Sequence, residues 1–248
     1  MKSWIFITQL IMLVCCATFA QTAINKTIPL QNGQSIVMHF DYPELVKVTT
    51  WEKNEILITG TVSINEGEND DAFTLDNVVT GKTVTVRSEI KNLKSLPVRI
   101  VVDTDGQKIV FKDKAALKKY QSERGRSYNS VSYGPEIDIV LEVKVPRNVD
   151  TKVESIYGMV EVTKFDGPLS VEATYGGVDA ALAEKTVGEV TAETNYGNIY
   201  TNLDVKFGEN NLTNGDFHTV VAAKLGSGPK YSFESKYGNV YIRKATSN

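Results

Sequence analysis

The octet ETNYGNIY at 193–200 returns as ESKYGNVY at 234–241. Aligned on glycine, five segments share one frame: SIYGMVEVT at 155–163, ATYGGVDAA at 173–181, TNYGNIYTN at 194–202, LTNGDFHTV at 212–220 and SKYGNVYIR at 235–243. Four copies carry a Tyr-Gly pair, at Tyr157 and Gly158, Tyr175 and Gly176, Tyr196 and Gly197, and Tyr237 and Gly238. The other copy keeps Gly215 but has Asn214 in place of tyrosine. The glycines are 18, 21, 18 and 23 residues apart. A period near 20 predicts a repeat architecture, in which each unit covers its apolar face with its neighbours.

The columns of the alignment give the local structure. Two residues after each glycine stand Val160, Val178, Ile199, Phe217 and Val240, and four after stand Val162, Ala180, Thr201, Thr219 and Ile242. Before the glycines, Val153, Val171, Ala192 and Phe233 take the inward parity, while Glu154, Glu172, Glu193 and Glu234 take the outward one. Alternation with a period of two means short strands with one buried face. Two strands per unit then meet at a Tyr-Gly corner, where glycine is expected to supply a backbone angle unfavourable to other residues. The expected fold is all-β, a parallel β-helix or β-solenoid with coils of about 20 residues. Equivalent strands about 4.8 Å apart would make the repeat region roughly 20–25 Å long.

Upstream the pattern is looser. Runs at 35–40, 46–50, 56–64, 83–87 and 98–103 alternate or are rich in β-branched residues. They are expected to form irregular coils of the same solenoid over 21–106, with a small β-sandwich as the alternative. Residues 107–135 interrupt the strands as a basic loop or short-helix insertion, with one or two helical turns expected over 112–120. Regular Tyr-Gly coils are expected over 136–248, within a single domain spanning 21–248.

The N-terminus places Lys2 before an apolar run from Trp4 to Cys16, and Thr18 and Ala20 are small residues ahead of Gln21. That predicts a secretory signal peptide over 1–20. Val14 before Cys15 makes a poor lipobox, so export to the periplasm or cell surface is expected without a clear lipid anchor. Both cysteines fall in this segment, so the exported chain has no disulfide and depends on its core. The formal charge of −3 becomes −4 without Lys2, which favours neither nucleic acid nor anionic lipid as a general partner. No second apolar stretch is long enough to span a bilayer.

Four features bear on function. The tyrosines of the corners should stack as a ladder, either as corner packing or as a sugar-binding stripe. Lys112, Lys114, Lys118, Lys119, Tyr120, Arg124, Arg126 and Tyr128 form a candidate binding loop, read as a solvated loop or as a polyanion site. Glu154, Glu172, Glu193 and Glu234 form an outward acidic ladder, read as a soluble face or as a site for a cation or a basic partner. NEGENDD at 65–71 reads as a polar turn, since its spacing does not fit a calcium loop. His218 is expected in an outward column beside Tyr200 and Tyr241. No zinc spacing, nucleophile elbow or phosphate loop is written in the chain, so no cofactor, metal site or catalytic residue is assigned.

The run IDIVLEVKVPRNVDTKVESIYGMVEV at 137–162 and the YGxV corners, behind a predicted signal, resemble domain-of-unknown-function family 4097. That family carries the label putative adhesin and is common in exported proteins of Bacteroidota. The resemblance is clearest over 136–243 and looser over 51–100. It implies a non-enzymatic, adhesin-like envelope protein whose ligand is a glycan or a protein, and it supplies no catalytic residue. The alternatives are a structural envelope scaffold and a polysaccharide-active β-helix enzyme. Oligomeric state is not written in the sequence.

Overall fold

The structure, a computed structural model, describes residues 21–125, 128–205, 213–214 and 217–245. The predicted signal, Arg126 and Gly215 lie outside the described residues. The chain begins with β1 (Thr22–Pro29), β2 (Ser35–Phe40), β3 (Leu45–Trp51), β4 (Glu55–Ile64), β5 (Phe73–Thr80) and β6 (Thr83–Ile90). Then come β7 (Arg99–Thr104), β8 (Gln107–Phe111), helix α1 (Lys114–Arg124), β9 (Ser130–Gly134) and β10 (Ile137–Pro146). The first repeats supply β11 (Thr151–Ser155), β12 (Met159–Thr163), β13 (Leu169–Ala173) and β14 (Val178–Leu182). The later ones supply β15 (Glu189–Thr194), β16 (Ile199–Thr201), β17 (Thr213–Asn214), β18 (Thr219–Lys224), β19 (Lys230–Ser235) and β20 (Val240–Lys244).

Two large sheets result. One runs β1-β4-β10-β3-β12-β14-β20-β16 and the other β17-β18-β15-β19-β13-β11-β2-β6-β5. A single apolar cluster joins their inner faces. Met38, Phe40, Val171 and Phe233 come from the second sheet, and Val46, Val160, Val178 and Ile242 from the first. Each such fully buried side chain contributes about 1.5–3 kcal/mol, which is how the described residues, none of them a cysteine, hold together.

This all-β architecture is a sandwich of two mixed sheets and corrects the parallel β-helix expectation. Coils of a β-helix follow one another in chain order. Here β19, from the last repeat, lies between β13 and β15, and β20 lies between β14 and β16. β18, from the degenerate fourth repeat, runs antiparallel to β15 and ends the stack instead of extending it. At the other end β4 is antiparallel to both β1 and β10. The physical reason is that period-two alternation decides which side chains point inward but not which equivalent strand lies next door. The third and fifth repeats are nearly identical, so either presents an edge that fits the second.

Further corrections follow from the same geometry. The N-terminal strands are not irregular coils. β2 and β3 pair in parallel with β11 and β12 as full members of the stack, while β1, β4 and β5 pair antiparallel. β7 does not join the large sheets. It forms a separate three-stranded antiparallel sheet with β8 and β9, so the interruption at 107–135 belongs to a module over 99–134. That module has its own small core of Ile100, Val102, Phe111 and Leu117. Its helix has eleven residues, longer than the expected turns, and is capped by Asp113, whose carboxylate accepts from the Ala116 N–H at 2.8 Å. Phe217 is not inward; it is exposed.

The repeated glycines also serve a different purpose from the one expected. Gly158, Gly176, Gly197 and Gly238 are not among the residues with positive φ. They are required by close approach. A Cβ on Gly176 would lie 1.9 Å from the Gly158 carbonyl oxygen, one on Gly238 2.1 Å from that of Gly176, and one on Gly197 1.9 Å from that of Gly238. Each corner rests backbone to backbone on the next.

Candidate functional site: a tyrosine ladder beside a carboxylate row

Because the corners rest directly on one another, their aromatic residues stack. The spatial order is Tyr42, Tyr157, Tyr175, Tyr237, Tyr196 and Phe217, with ring centroids 5.7, 5.4, 5.1, 5.1 and 5.7 Å apart. The ladder is about 27 Å long, and the central planes are within 7–11° of parallel. Tyr157, Tyr175, Tyr196 and Tyr237 remain 44–59% exposed and Phe217 70%. The rings spend their faces on one another and present edges and hydroxyls to solvent. Those four hydroxyls have no hydrogen-bond partner among the described residues. Lys236 lies over the Tyr237 ring, 5.5 Å from its centroid.

Four of the six rings are legible in the repeat. Tyr42 escapes it because its corner, Asp41-Tyr42-Pro43-Glu44, has no glycine and is one residue longer. The signal that could find it is the run SIVMHFDYPELVKV at 35–48, where alternation continues on both sides of a turn tyrosine. Phe217 is misplaced by aligning the fourth copy as a regular coil. A shorter stack, Tyr200 on Tyr241 at 5.1 Å, sits on the other sheet.

The outward glutamates also come together, one strand from the next. Strand register sets them in the row Arg87, His39, Glu154, Glu172, Glu234, Glu193. Most of the repulsion is neutralised. His39 Nδ1 meets Glu154 at 2.5 Å, Lys152 bridges Glu154 and Glu172 at 2.8 Å each, and His218 Nε2 meets Glu193 at 2.7 Å. His218 therefore belongs to this row and not beside Tyr200 and Tyr241. Burial works against the Glu154 charge, but Lys152 and His39 prevail and hold its carboxyl below the ordinary range. Glu234 has no ion-pair partner among the described residues. Burial, then Glu193 and Glu172, push its carboxyl upward against the weaker pull of Lys152 and His218. A groove of about 500 Å³ lies at the His39 end of the row, lined by His39, Asp41, Arg87, Glu154, Ile156 and Glu172 among others. Among the described residues no group of three or more His, Cys, Asp or Glu is placed to hold a metal.

The raised Glu234 carboxyl predicts a pH signature. A folded-state value above the unfolded one means that its share of stability is complete below the ordinary carboxylate range. That share is lost as pH rises through the folded value. Glu234→Gln should therefore raise Tm near neutral pH and leave it unchanged in acid. Solvent screening keeps the gain to about 0.5 kcal/mol, about 1–2 °C for a domain of this size. Thermal melts at both pH values check it.

Among the described residues none of the candidate basic residues bonds to a ladder ring, although Lys108 of the same insertion pairs with Glu44 of the Tyr42 corner at 3.4 Å. Lys112 bonds to Glu68 at 2.6 Å, and the same carboxylate receives the buried Arg99 guanidinium. Tyr120 tilts onto Phe111 at 5.2 Å, and its neighbour Tyr128 takes the Gln121 amide N–H at 3.3 Å. Lys114, Lys118, Lys119 and Arg124 are exposed on α1. In the NEGENDD turn, Asp70 accepts the Ile64 N–H at 2.6 Å, and Asn65 is fully buried. That turn anchors the module.

No family model and no curated protein matches the chain, so the resemblance to family 4097 rests on its motifs. Two solved structures are similar over most of the chain. One is described as a putative cell adhesion protein of Clostridium sporogenes, with 10% identity and a TM-score of 0.44, covering 91% of this chain and 100% of that one. The other is described as a putative adhesin of Bacteroides fragilis, with 11% identity and a TM-score of 0.30, covering 91% of this chain and 98% of that one. No helix among the described residues is long and apolar enough to cross a membrane.

Proposed function

We propose that this chain is an exported, non-enzymatic, adhesin-like binding protein of the cell envelope, and that the tyrosine ladder is its binding stripe. One observation carries the reading: six aromatic rings stack in a row, five of them exposed, and four hydroxyls have no partner among the described residues. Tyrosine offers large, rigid, amphipathic contact area at little entropic cost, which is why it recurs at recognition surfaces. The ladder is long and periodic, with rings 5.1–5.7 Å apart, so it suits an extended glycan or peptide better than a compact small molecule. The signal-like N-terminus supports export.

The competing reading is a structural scaffold, favoured by the way the ring faces satisfy one another. The two differ in where the protein must act. Protease added to intact cells of the source organism should digest it, as it would a surface protein. Protection until the cells are lysed would remove the adhesin reading and favour the scaffold.

A further inference from the structure

The module over 99–134 is charged opposite to the body that carries it. It holds eight Lys or Arg against four Asp or Glu, a formal balance of +4. Residues 21–98 and 135–248 hold 18 against 26, a balance of −8. On the sandwich many cations are spoken for. Lys152 is held by Glu154 and Glu172, Arg243 by Asp179, Lys230 by Glu189 and Arg147 by Glu52. On α1, the charged side chains of Lys114, Lys118, Lys119 and Arg124 have no ion-pair or hydrogen-bond partner among the described residues. The helix keeps only Leu117 buried and turns the lysines to solvent. Its base is fixed by the Arg99–Glu68–Lys112 cluster and by Asn65, so the charges are presented on a braced support.

We infer that α1 is a docking site for a linear polysaccharide bearing carboxylates. The helix is about 16 Å long, and the acidic sandwich begins at its base. Lys114 and Lys118 stand one turn apart on one face and Lys119 about 100° further round, so a thin single chain can wind over all three, whereas a duplex with charge on all sides would be repelled by the acidic sandwich. Bases of a single-stranded nucleic acid need open aromatic faces, and Tyr120 is turned onto Phe111. A lipid surface needs apolar side chains to bury, and none of the exposed large hydrophobic residues lies on α1. Lysine is a flexible point charge that needs no paired, planar geometry, so it tolerates the irregular spacing of carboxylates along a sugar chain. This site is independent of the tyrosine ladder.

Titration calorimetry with polygalacturonate tests it, using the full chain, K114Q/K118Q/K119Q and K114E/K118E/K119E. The wild-type chain should bind at an ionic strength of about 50 mM and weaken at about 300 mM, as the screening length shortens. The glutamine variant should bind about tenfold more weakly, and the glutamate variant should show no heat. All three positions are exposed, and glutamine keeps the helix propensity of lysine, so a folded comparison is available even if charge reversal unfolds the module. Failure of the wild-type chain to bind, or a glutamine variant equal to wild type, would overturn the inference. So would tighter, lysine-dependent binding to anionic vesicles or duplex DNA.

Discussion

Gly238→Ala should unfold the repeat stack or lose about 4 kcal/mol or more, at the upper end of single-substitution effects. The added Cβ would sit 2.1 Å from the Gly176 carbonyl oxygen and 2.7 Å from its carbon. These are backbone atoms, fixed in turn by the Tyr237 N–H bond to the Thr174 carbonyl at 2.9 Å and by the Lys236 N–H bond to the Ala173 carbonyl. Neither neighbour can yield without breaking parallel pairing on one side. At about 2–4 °C per kcal/mol for a domain of this size, a folded variant should melt about 8–16 °C lower. Gly33→Ala is a useful contrast. Gly33 has φ +80 and open space for 4 Å around the place a Cβ would take, so its cost is conformational and about 1 kcal/mol. Parallel chemical or thermal denaturation of the two variants separates crowding from backbone angle.

Asn65→Ala should be the second large loss. Asn65 is fully buried with φ +54. Its amide donates to Asn69 at 2.8 Å and to the Pro97 carbonyl at 3.0 Å, and its side-chain oxygen accepts the Glu136 N–H at 2.9 Å. Pro97 leads into the 99–134 module and Glu136 leads out of it, so one side chain ties both entrances to the sandwich. Truncation leaves a buried donor and a buried acceptor unmet and puts alanine in a left-handed conformation. At about 1–3 kcal/mol for an unmet buried group and about 1 kcal/mol for the backbone, the loss should reach about 3 kcal/mol. Limited proteolysis should then cut near 97 or 136 before it cuts the repeats. Asn65→Gly keeps the backbone and removes only the side chain, so it should recover about 1 kcal/mol of the loss.

The legible part of this fold is local. Parity alone puts Val153, Val171, Ala192, Phe233, Val160 and Val178 in the core, and all are buried. It also sets Glu154, Glu172, Glu193 and Glu234 in one outward row. Strand order is not legible, because the third and fifth repeats carry the same inward pattern and the same corner. Placement of the last repeat between the second and third depends on long-range docking that no periodicity encodes. Tyr42 stays hidden because a proline stands where its neighbours have glycine. The basic helix is visible as composition, but its separate core is not. Ile100, Val102, Phe111 and Leu117 read as ordinary strand and helix residues until β7 is seen to leave the large sheets.

If the ladder binds through its outward edges, its hydroxyls matter more to a ligand than to the fold. Tyr175→Phe, Tyr237→Phe and Tyr196→Phe, combined in one chain, keep every stacked ring and remove three free hydroxyls. Co-sedimentation with isolated envelopes of the source organism, with a thermal melt on the same samples, measures both roles at once. Binding should weaken about tenfold, equivalent to about 1.4 kcal/mol, with Tm within about 2 °C of wild type. Binding equal to wild type at unchanged Tm would refute the binding role and leave the ladder as corner packing.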